Sequence, residues 1–91
     1  MSSHYEISLE LKARYITHRR DDIQICLNAL SIKDYVVLER IGHQIKANSI
    51  SYGFELLSPL AQRLETAAQD KNDPELELII RDYQTFISAL V

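Results

Sequence analysis

The chain has 91 residues, of which 46% are hydrophobic and 25% charged, and its formal net charge is −3. This length and composition favour one small globular domain. The mild negative charge, without a basic run interleaved with aromatics, argues against nucleic-acid binding. Two glycines and two prolines are too few for the frequent turns of a β-sandwich or barrel, so the sequence predicts long helices.

Cysteine content and local hydropathy indicate the cellular compartment of the protein. Cys26 is the only cysteine, so no internal disulfide can form, which is typical of a reducing environment. We expect Cys26 to be a small buried side chain on a helix. No run of about eighteen apolar residues predicts a membrane span, and residues 1–12 do not resemble a secretion signal. The sequence therefore predicts a cytoplasmic domain.

Apolar residues recur at helical spacing in four blocks, which predict four helices. The first block is interrupted by polar residues 17–22, where Arg20 falls on the apolar stripe, so we expect this helix to leave the core there. In the second block, Asp34 lies in the opening turn, where a carboxylate complements the helix dipole. The expected core face comprises Leu9, Ala13, Ile16, Ile23, Leu27 and Leu30 in the first block, and Leu38, Ile41 and Ile45 in the second, continued by Asn48 and Tyr52.

The third block covers residues 54–70 and contains a proline near its start. Either Ser58 caps a helix that begins at Pro59, or the helix begins just after Gly53 and Pro59 lies late in the first turn. We favour the second alternative, because the apolar residues after Gly53 are suited to packing. The expected stripe is Leu57, Leu60, Ala61, Leu64, Ala67 and Ala68.

The fourth block has the clearest start. Asp73 is a suitable N-cap, Pro74 suits the first helical position, and Glu75 and Glu77 follow in the positive first turn. The expected stripe is Leu76, Ile79, Ile80, Tyr83, Phe86, Ile87 and Leu90.

Short connections around residues 31–33, 51–53 and 71–73 make sequential helices antiparallel neighbours. The predicted fold is therefore all-α, an up-down-up-down antiparallel four-helix bundle. We expect residues 9–91 to form this single domain and residues 1–8 to be a frayed N-terminus.

His43 lies near the middle of the second predicted helix, and the helical periodicity indicates which way its side chain points. Because an α-helix turns about 100° per residue, His43 lies about 200° from Ile41 and about 160° from Ile45. A buried core histidine is the more usual case, but this periodicity places His43 opposite the core. We therefore expect it to be exposed to solvent.

The neighbours of His43 on this face suit phosphoryl chemistry. Arg40 lies one turn before it, and Lys46 and Ala47 lie one turn after. Ala47 leaves room for another protein's surface, and Lys46 places a positive charge beside an anion attached to the ring. An imidazole is neutral and nucleophilic in part near neutral pH. The pattern therefore favours phosphoryl transfer to or from a docked partner.

Three arginines could add positive charge near His43, which is a weaker indication of phosphoryl chemistry. If the first two helices turn near residue 32, Arg19 or Arg20 would lie roughly opposite His43, and Arg63 on the third helix could approach from the other side. The more common role for each is a solvated surface arginine.

The stretch HQIKANSISYG, followed by FELLSPLAQRLETAA, resembles the histidine-containing phosphotransfer (HPt) domain. The family pattern is a histidine, a lysine at +3, a small residue at +4 and a glycine at +10. A downstream series of leucines ends in leucine-glutamate. The similarity covers about residues 9–90; the H-x-x-K core alone is a weak motif, and the spacing to the glycine strengthens it. The matching residues are His43, Lys46, Ala47 and Gly53, then Leu57, Leu60, Leu64 and Glu65, with Ala47 standing where glycine is most common.

The resemblance implies a phosphorelay carrier with no ATP site and no cofactor of its own. Nε2 of His43 would accept a phosphoryl group from a receiver-domain aspartate or a hybrid histidine kinase and pass it to another response-regulator receiver. The Mg²⁺ ion would belong to the receiver. Gln44, Lys46 and Arg40 would help to hold the phosphate or partner, and Gly53 would allow the turn into the third helix.

Two further functional classes stay open at this point. A bundle of this kind could bind a receiver or kinase as an adaptor without carrying phosphate. Glu39 and His43 could ligate zinc, but two ligands do not make a site, and neither His4 nor His18 is expected nearby. There is no phosphate-cradling glycine loop or nucleotide motif, so an independent enzyme is not supported.

Self-association is a separate alternative. Tyr15, Tyr35 and Val36 are candidates for partial exposure, which would allow a dimer through the first two helices. Because scattered exposed apolar residues are normal, we expect a monomer.

Overall fold

The computed structural model of the chain describes residues 8–90, which form four α-helices and no strand. None of these helices is long and apolar enough to cross a membrane. Residues 1–7, where most of the expected fraying falls, lie outside the described range, and Ser8 caps the first helix by accepting a hydrogen bond from the Leu11 amide. The helices are α1 (Leu9–Ser31), α2 (Tyr35–Asn48), α3 (Leu57–Gln69) and α4 (Asp73–Ala89).

The four helices surround one core. Packing occurs between α1 and α2, α2 and α3, α3 and α4, and α4 and α1, whereas α2 and α4 do not approach within 8 Å between Cα atoms. The arrangement is therefore bundle-like, with α2 and α4 on opposite sides of the core.

Most of the apolar stripes predicted for α2, α3 and α4 are confirmed. Leu60 and Phe86 are partly buried against the core, and Asn48 and Tyr52 are half-buried. The expectation for Leu90 was wrong, because this residue lies past the end of α4 and is 43% exposed. The buried members are Leu38, Ile41, Ile45, Leu57, Ala61, Leu64, Ala67, Ala68, Leu76, Ile79, Ile80, Tyr83 and Ile87.

The predicted core face of α1 was partly wrong. Leu9 is 85% exposed, and Ala13 and Leu27 are also exposed. With 23 residues, α1 is longer than any helix it packs against, so its first turn projects beyond the core. The buried face also differs from the predicted one by about one residue over much of the helix. It comprises Tyr15, Ile16, Ile23, Cys26 and Ala29, with Leu30 partly buried.

Tyr15 is buried, which removes it from the residues considered for an exposed dimer surface. Its ring stacks against Tyr52, with centroids 4.4 Å apart, and against Phe54 at 5.5 Å. Its hydroxyl donates a hydrogen bond to Asn48 Oδ1 at 2.5 Å. Aromatic stacking combined with a satisfied hydroxyl is a strong local anchor, so the segment that follows α2 is held against α1.

The helix α3 begins at Leu57, later than the favoured start after Gly53 and earlier than the alternative start at Pro59. Residues 49–56 form turns, in which the Leu57 amide donates to the Phe54 carbonyl and the Ser58 amide to the Glu55 carbonyl. Pro59 is third in the helix, where the missing N–H removes no intrahelical hydrogen bond.

The N-cap of α4 is Asn72 and not Asp73. The Asn72 Oδ1 accepts from the Glu75 amide at 3.2 Å, and Pro74 lies in the first turn. Asp73 instead forms an ion pair with Lys33 and accepts a hydrogen bond from the Tyr35 hydroxyl at 2.6 Å. These contacts lower the pKa of Asp73 below its ordinary value, Lys33 making the larger contribution. They join the α1–α2 connection to the start of α4.

Gly42 allows α2 and α3 to approach backbone to backbone. A Cβ atom at this position would lie 2.8 Å from the Glu65 amide nitrogen and 2.9 Å from the Ala61 carbonyl oxygen. Both atoms belong to the α3 backbone and cannot move without displacing that helix.

We predict that Gly42→Ala destabilises the protein. Overpacking against a fixed backbone costs about 1–3 kcal/mol, whereas alanine gains roughly 1 kcal/mol of helix propensity. Urea unfolding should show a lower midpoint for the variant, and the exposed Gln44→Ala change in the same helix should leave it nearly unchanged. A midpoint for Gly42→Ala above that of the wild type would show that the two helices separate without penalty.

We also predict opposite effects for two tyrosine-to-phenylalanine substitutions. The Tyr83 hydroxyl is buried and, among residues 8–90, has no hydrogen-bond partner, so Tyr83→Phe should be neutral or stabilising. Tyr15→Phe should cost about 0.5–1.5 kcal/mol, because it removes the bond to Asn48. Thermal and urea unfolding of both variants would test the contrast, which fails if Tyr83→Phe is the more damaging change.

Candidate functional site

The structure places His43 in the second half of α2 on its outer face. Its side chain is 67% exposed, as the periodicity predicts. The flanking Ile41 and Ile45 are buried, so the backbone beneath the imidazole is anchored in the core while the ring is open to solvent.

Glu65 on α3 sets the orientation of the imidazole. Its Oε2 lies 3.1 Å from His43 Nδ1. A carboxylate can only accept a hydrogen bond, so Nδ1 must carry the proton. The neutral ring then has its lone pair on Nε2, which makes no hydrogen bond within residues 8–90. In the neutral ring, this contact therefore leaves Nε2 as the nucleophilic nitrogen.

Lys46 shares the same carboxylate. Its Nζ donates to Glu65 Oε1 at 2.7 Å and to Gln62 Oε1 at 3.1 Å. Glu65 is only 12% exposed, whereas the Lys46 side chain is one-third exposed. The result is a cation held one turn from His43 by two residues of α3.

The cluster keeps Glu65 ionised at neutral pH. The hydrogen bond from Lys46, followed by that from His43, lowers the pKa of Glu65 below its ordinary value of 4.5, and these outweigh the opposing effect of burial. An ionised carboxylate stabilises the proton on His43 Nδ1 and the charge on Lys46.

The other predicted site residues lie around this cluster without joining it. Arg40, Gln44 and Ala47 are exposed on α2, and the side chains of Arg40 and Gln44 make no hydrogen bond within residues 8–90. Gly53 lies in the connection after α2 with a φ of +86°, a conformation that favours glycine. The Lys12 side chain packs over Gly53, with Cε 3.4 Å from the position of an added Cβ. Roles for these four residues in a phosphate or partner site stay predictions.

The three arginines considered as additional cations have other contacts or positions. Arg19 pairs with Asp22 at 2.7 Å and lies 4.5 Å over the Tyr15 ring. Arg63 pairs with Glu75 and Asp82 of α4. Arg20 is exposed and lines a cleft near α4. These contacts and positions support structural or surface roles, and none of the three arginines bonds to His43, Lys46 or Glu65.

Residues 8–90 offer no ligand set for the zinc site considered above. Glu39 accepts a hydrogen bond from Gln69 at 2.9 Å, and His43 is engaged by Glu65. Across residues 8–90, no group of three histidine, cysteine, aspartate or glutamate side chains converges to hold a metal ion.

Sequence reasoning missed the contacts that α3 makes with His43 and Lys46. Glu65 matched the family's leucine-glutamate pattern, but its link to His43 and Lys46 depends on the register between α2 and α3. Gly42 could have given that register, because a glycine inside a helix often marks a close backbone approach.

A comparison of the chain with protein-family models, curated proteins and solved structures found no match.

We predict that Glu65 contributes stability at neutral pH that is lost in acid. Its folded-state pKa is lowered, so the contribution is present above the ordinary value of 4.5 and disappears as pH falls through the folded value. Glu65→Gln should lower the free energy of unfolding at pH 7, and its difference from the wild type should shrink below about pH 4. Urea unfolding across this range measures the effect. Glu55→Gln, an exposed control, should show no comparable difference; an equal effect in both variants would contradict the role of the cluster.

Proposed function

We propose that the chain is a histidine-containing phosphotransfer domain in which His43 carries the phosphoryl group. The observation that supports this most directly is the exposed imidazole whose Nδ1 is engaged by Glu65, with Lys46 bound to the same carboxylate. In the neutral ring, the contact of Nδ1 with Glu65 leaves the lone pair of Nε2 for the phosphoryl group, with the Lys46 cation one turn away.

The proposed architecture is the HPt-like up-down-up-down antiparallel four-helix bundle. Three pairings support it. Tyr15 in the first half of α1 meets Asn48 at the end of α2, and Glu39 early in α2 meets Gln69 at the end of α3. Lys33 joins the α1–α2 connection to the start of α4.

In the proposed reaction, His43 Nε2 attacks the phosphorus of an aspartyl phosphate on a receiver domain. The Nε2–P bond forms, the P–O bond to the aspartate breaks, and the aspartate leaves as a carboxylate. Positive charge develops on the imidazole, and Glu65 stabilises it through the Nδ1–H bond. Lys46 lies one turn away, where its positive charge favours the transferring phosphoryl oxygens. Reversal of these steps passes the group to a second receiver.

The proposed carrier depends on other proteins for ATP binding and for the metal ion. It is a carrier without an ATP site, and Mg²⁺ is supplied by the receiver. Its partners are a response-regulator receiver and a hybrid histidine kinase, with no nucleic acid or membrane involved. The carrier acts as a monomer, because scattered exposed apolar residues are normal on a protein surface. It acts in the cytoplasm, an assignment that rests on the lone buried Cys26.

We predict that transfer from a phosphorylated receiver domain labels the wild type and not His43→Gln. The label should be acid-labile and base-stable, and loss of the only nucleophilic nitrogen in the cluster should reduce it to background. His18→Gln, which removes an exposed histidine of α1, is the control and should be labelled like the wild type.

Two other outcomes would contradict this function. Tight binding to the receiver with no label on any variant would indicate an adaptor that recognises the receiver without accepting phosphate. Equal labelling of wild type and His43→Gln would place the acceptor elsewhere in the chain.

A further inference from the structure

An open cleft that does not involve His43 lies between the first half of α1 and the end of α4. It has a volume of about 310 Å³ and is lined by residues of α1, by Phe54 of the α2–α3 connection and by Leu90 after α4. This volume falls at the lower end of the range of about 300–1,000 Å³ for small-molecule sites. None of the lining residues belongs to the cluster of His43, Lys46 and Glu65, so the cleft is a separate candidate site.

The apolar wall of the cleft is the stripe with which α1 begins. Leu9, Ala13 and Ile16 are four and three residues apart, so they share one face of the helix, but only Ile16 is buried. The helix α4 ends at Ala89, and Leu90 beyond it is 43% exposed. The bundle therefore leaves the start of this stripe open to solvent, where the apolar part of a ligand could be removed from water.

Two cations lie along the same cleft. Lys12 and Arg20 are eight residues apart, or about 12 Å along α1. Within residues 8–90 neither side chain forms an ion pair or a hydrogen bond to another side chain, and no acidic side chain lines the cleft. Glu10, Asp21 and Glu55 adjoin lining residues in the sequence but do not contribute to the lining. The cleft therefore combines an apolar wall with positive charge that its own lining residues do not balance.

Arg20 is the better placed of the two cations to bind an anion. The Lys12 side chain packs over Gly53, where its Cε and Nζ atoms both lie 3.4 Å from the position of an added Cβ. Its ammonium group is therefore held at the α2–α3 connection. Arg20 is exposed, and a guanidinium offers paired N–H donors that match the two oxygens of a carboxylate.

We propose that this cleft binds a small amphipathic carboxylate, a molecule with one carboxylate group and an unbranched aliphatic chain. Arg20 binds the carboxylate, and the aliphatic chain lies along Ile16 and Ala13 toward Leu9, where burial of apolar surface contributes affinity. Lys12 adds positive potential at the far end of the cleft. This site does not depend on the phosphotransfer function proposed above.

The test begins with a titration of the 91-residue chain with four probes, followed through its amide signals in NMR spectra. Octanoate carries both features of the proposed ligand. Octanol has the same chain without charge, octyltrimethylammonium reverses the charge, and acetate has the carboxylate without the chain. We predict that octanoate shifts the amides of Ile16, Thr17 and Arg20 saturably at millimolar concentration or below. Its Kd should be on the order of tenfold lower than that of octanol, and the other two probes should give no saturable shift.

Substitutions then test the contribution of individual side chains. Arg20→Gln should raise the Kd for octanoate by on the order of tenfold, and Arg20→Lys, which keeps the charge, should raise it less. Arg81→Gln is the matched control, because Arg81 is exposed on α4 and does not line the cleft. Leu9 is 85% exposed, so Leu9→Ser should leave the fold intact and raise the Kd severalfold by removing apolar surface. Leu11→Ser should not, because Leu11 lines a different cleft.

Four results would overturn the proposed site. Failure of octanoate to give a saturable shift would show that the cleft does not bind such a ligand. Equal affinity for octanoate and octyltrimethylammonium would show that apolar contact alone is responsible. An unchanged Kd in Arg20→Gln would place the carboxylate elsewhere, and an equal loss in Arg81→Gln would show that only the net charge of the protein matters.

Discussion

The close approach of α2 and α3 at Gly42 is the constraint on which the site depends. The Glu65 amide nitrogen is the nearest atom to a Cβ built on Gly42, so the residue that touches Gly42 is also the one whose carboxylate binds His43 and Lys46. Those two side chains follow Gly42 by one and four residues on the same helix. A larger residue at position 42 would push the Glu65 backbone away and lengthen both contacts. Core packing and site geometry are therefore determined by the same contact.

A second set of contacts fixes the connection between α2 and α3. Tyr52 and Phe54 stack on Tyr15 of α1, so residues 49–56 form turns against the bundle and do not extend α3 toward its N-terminus. Gly53, with its positive φ, lies between the two stacked residues.

The sequence was most informative for the helices whose apolar residues all lie on one face. The stripes of α2, α3 and α4 follow from periodicity because each of these helices buries one well-defined face. In α1 the apolar residues occupy more than one face, and Leu9 extends beyond the helices it packs against, so periodicity alone could not choose which face is buried. At the start of α4, Asn72 and Asp73 are both suitable caps. Lys33 and Tyr35 engage Asp73 from a distant part of the chain, and single-sequence reasoning has no means of detecting them.

The exposure of His43 could be predicted, whereas the arrangement beneath it could not. Glu65, which contacts His43, and Gln62, which contacts Lys46, lie on a different helix. Their positions depend on the register between α2 and α3. This register also explains how an acidic residue can lie next to the proposed phosphoryl acceptor. A carboxylate alone would repel an incoming phosphoryl group, but Lys46 neutralises it at 2.7 Å. An ammonium group has three N–H donors, of which one is directed to Glu65 and one to Gln62. The third donor remains for a phosphoryl oxygen, so the contacts that restrain Lys46 also leave it able to bind the group that His43 is proposed to carry.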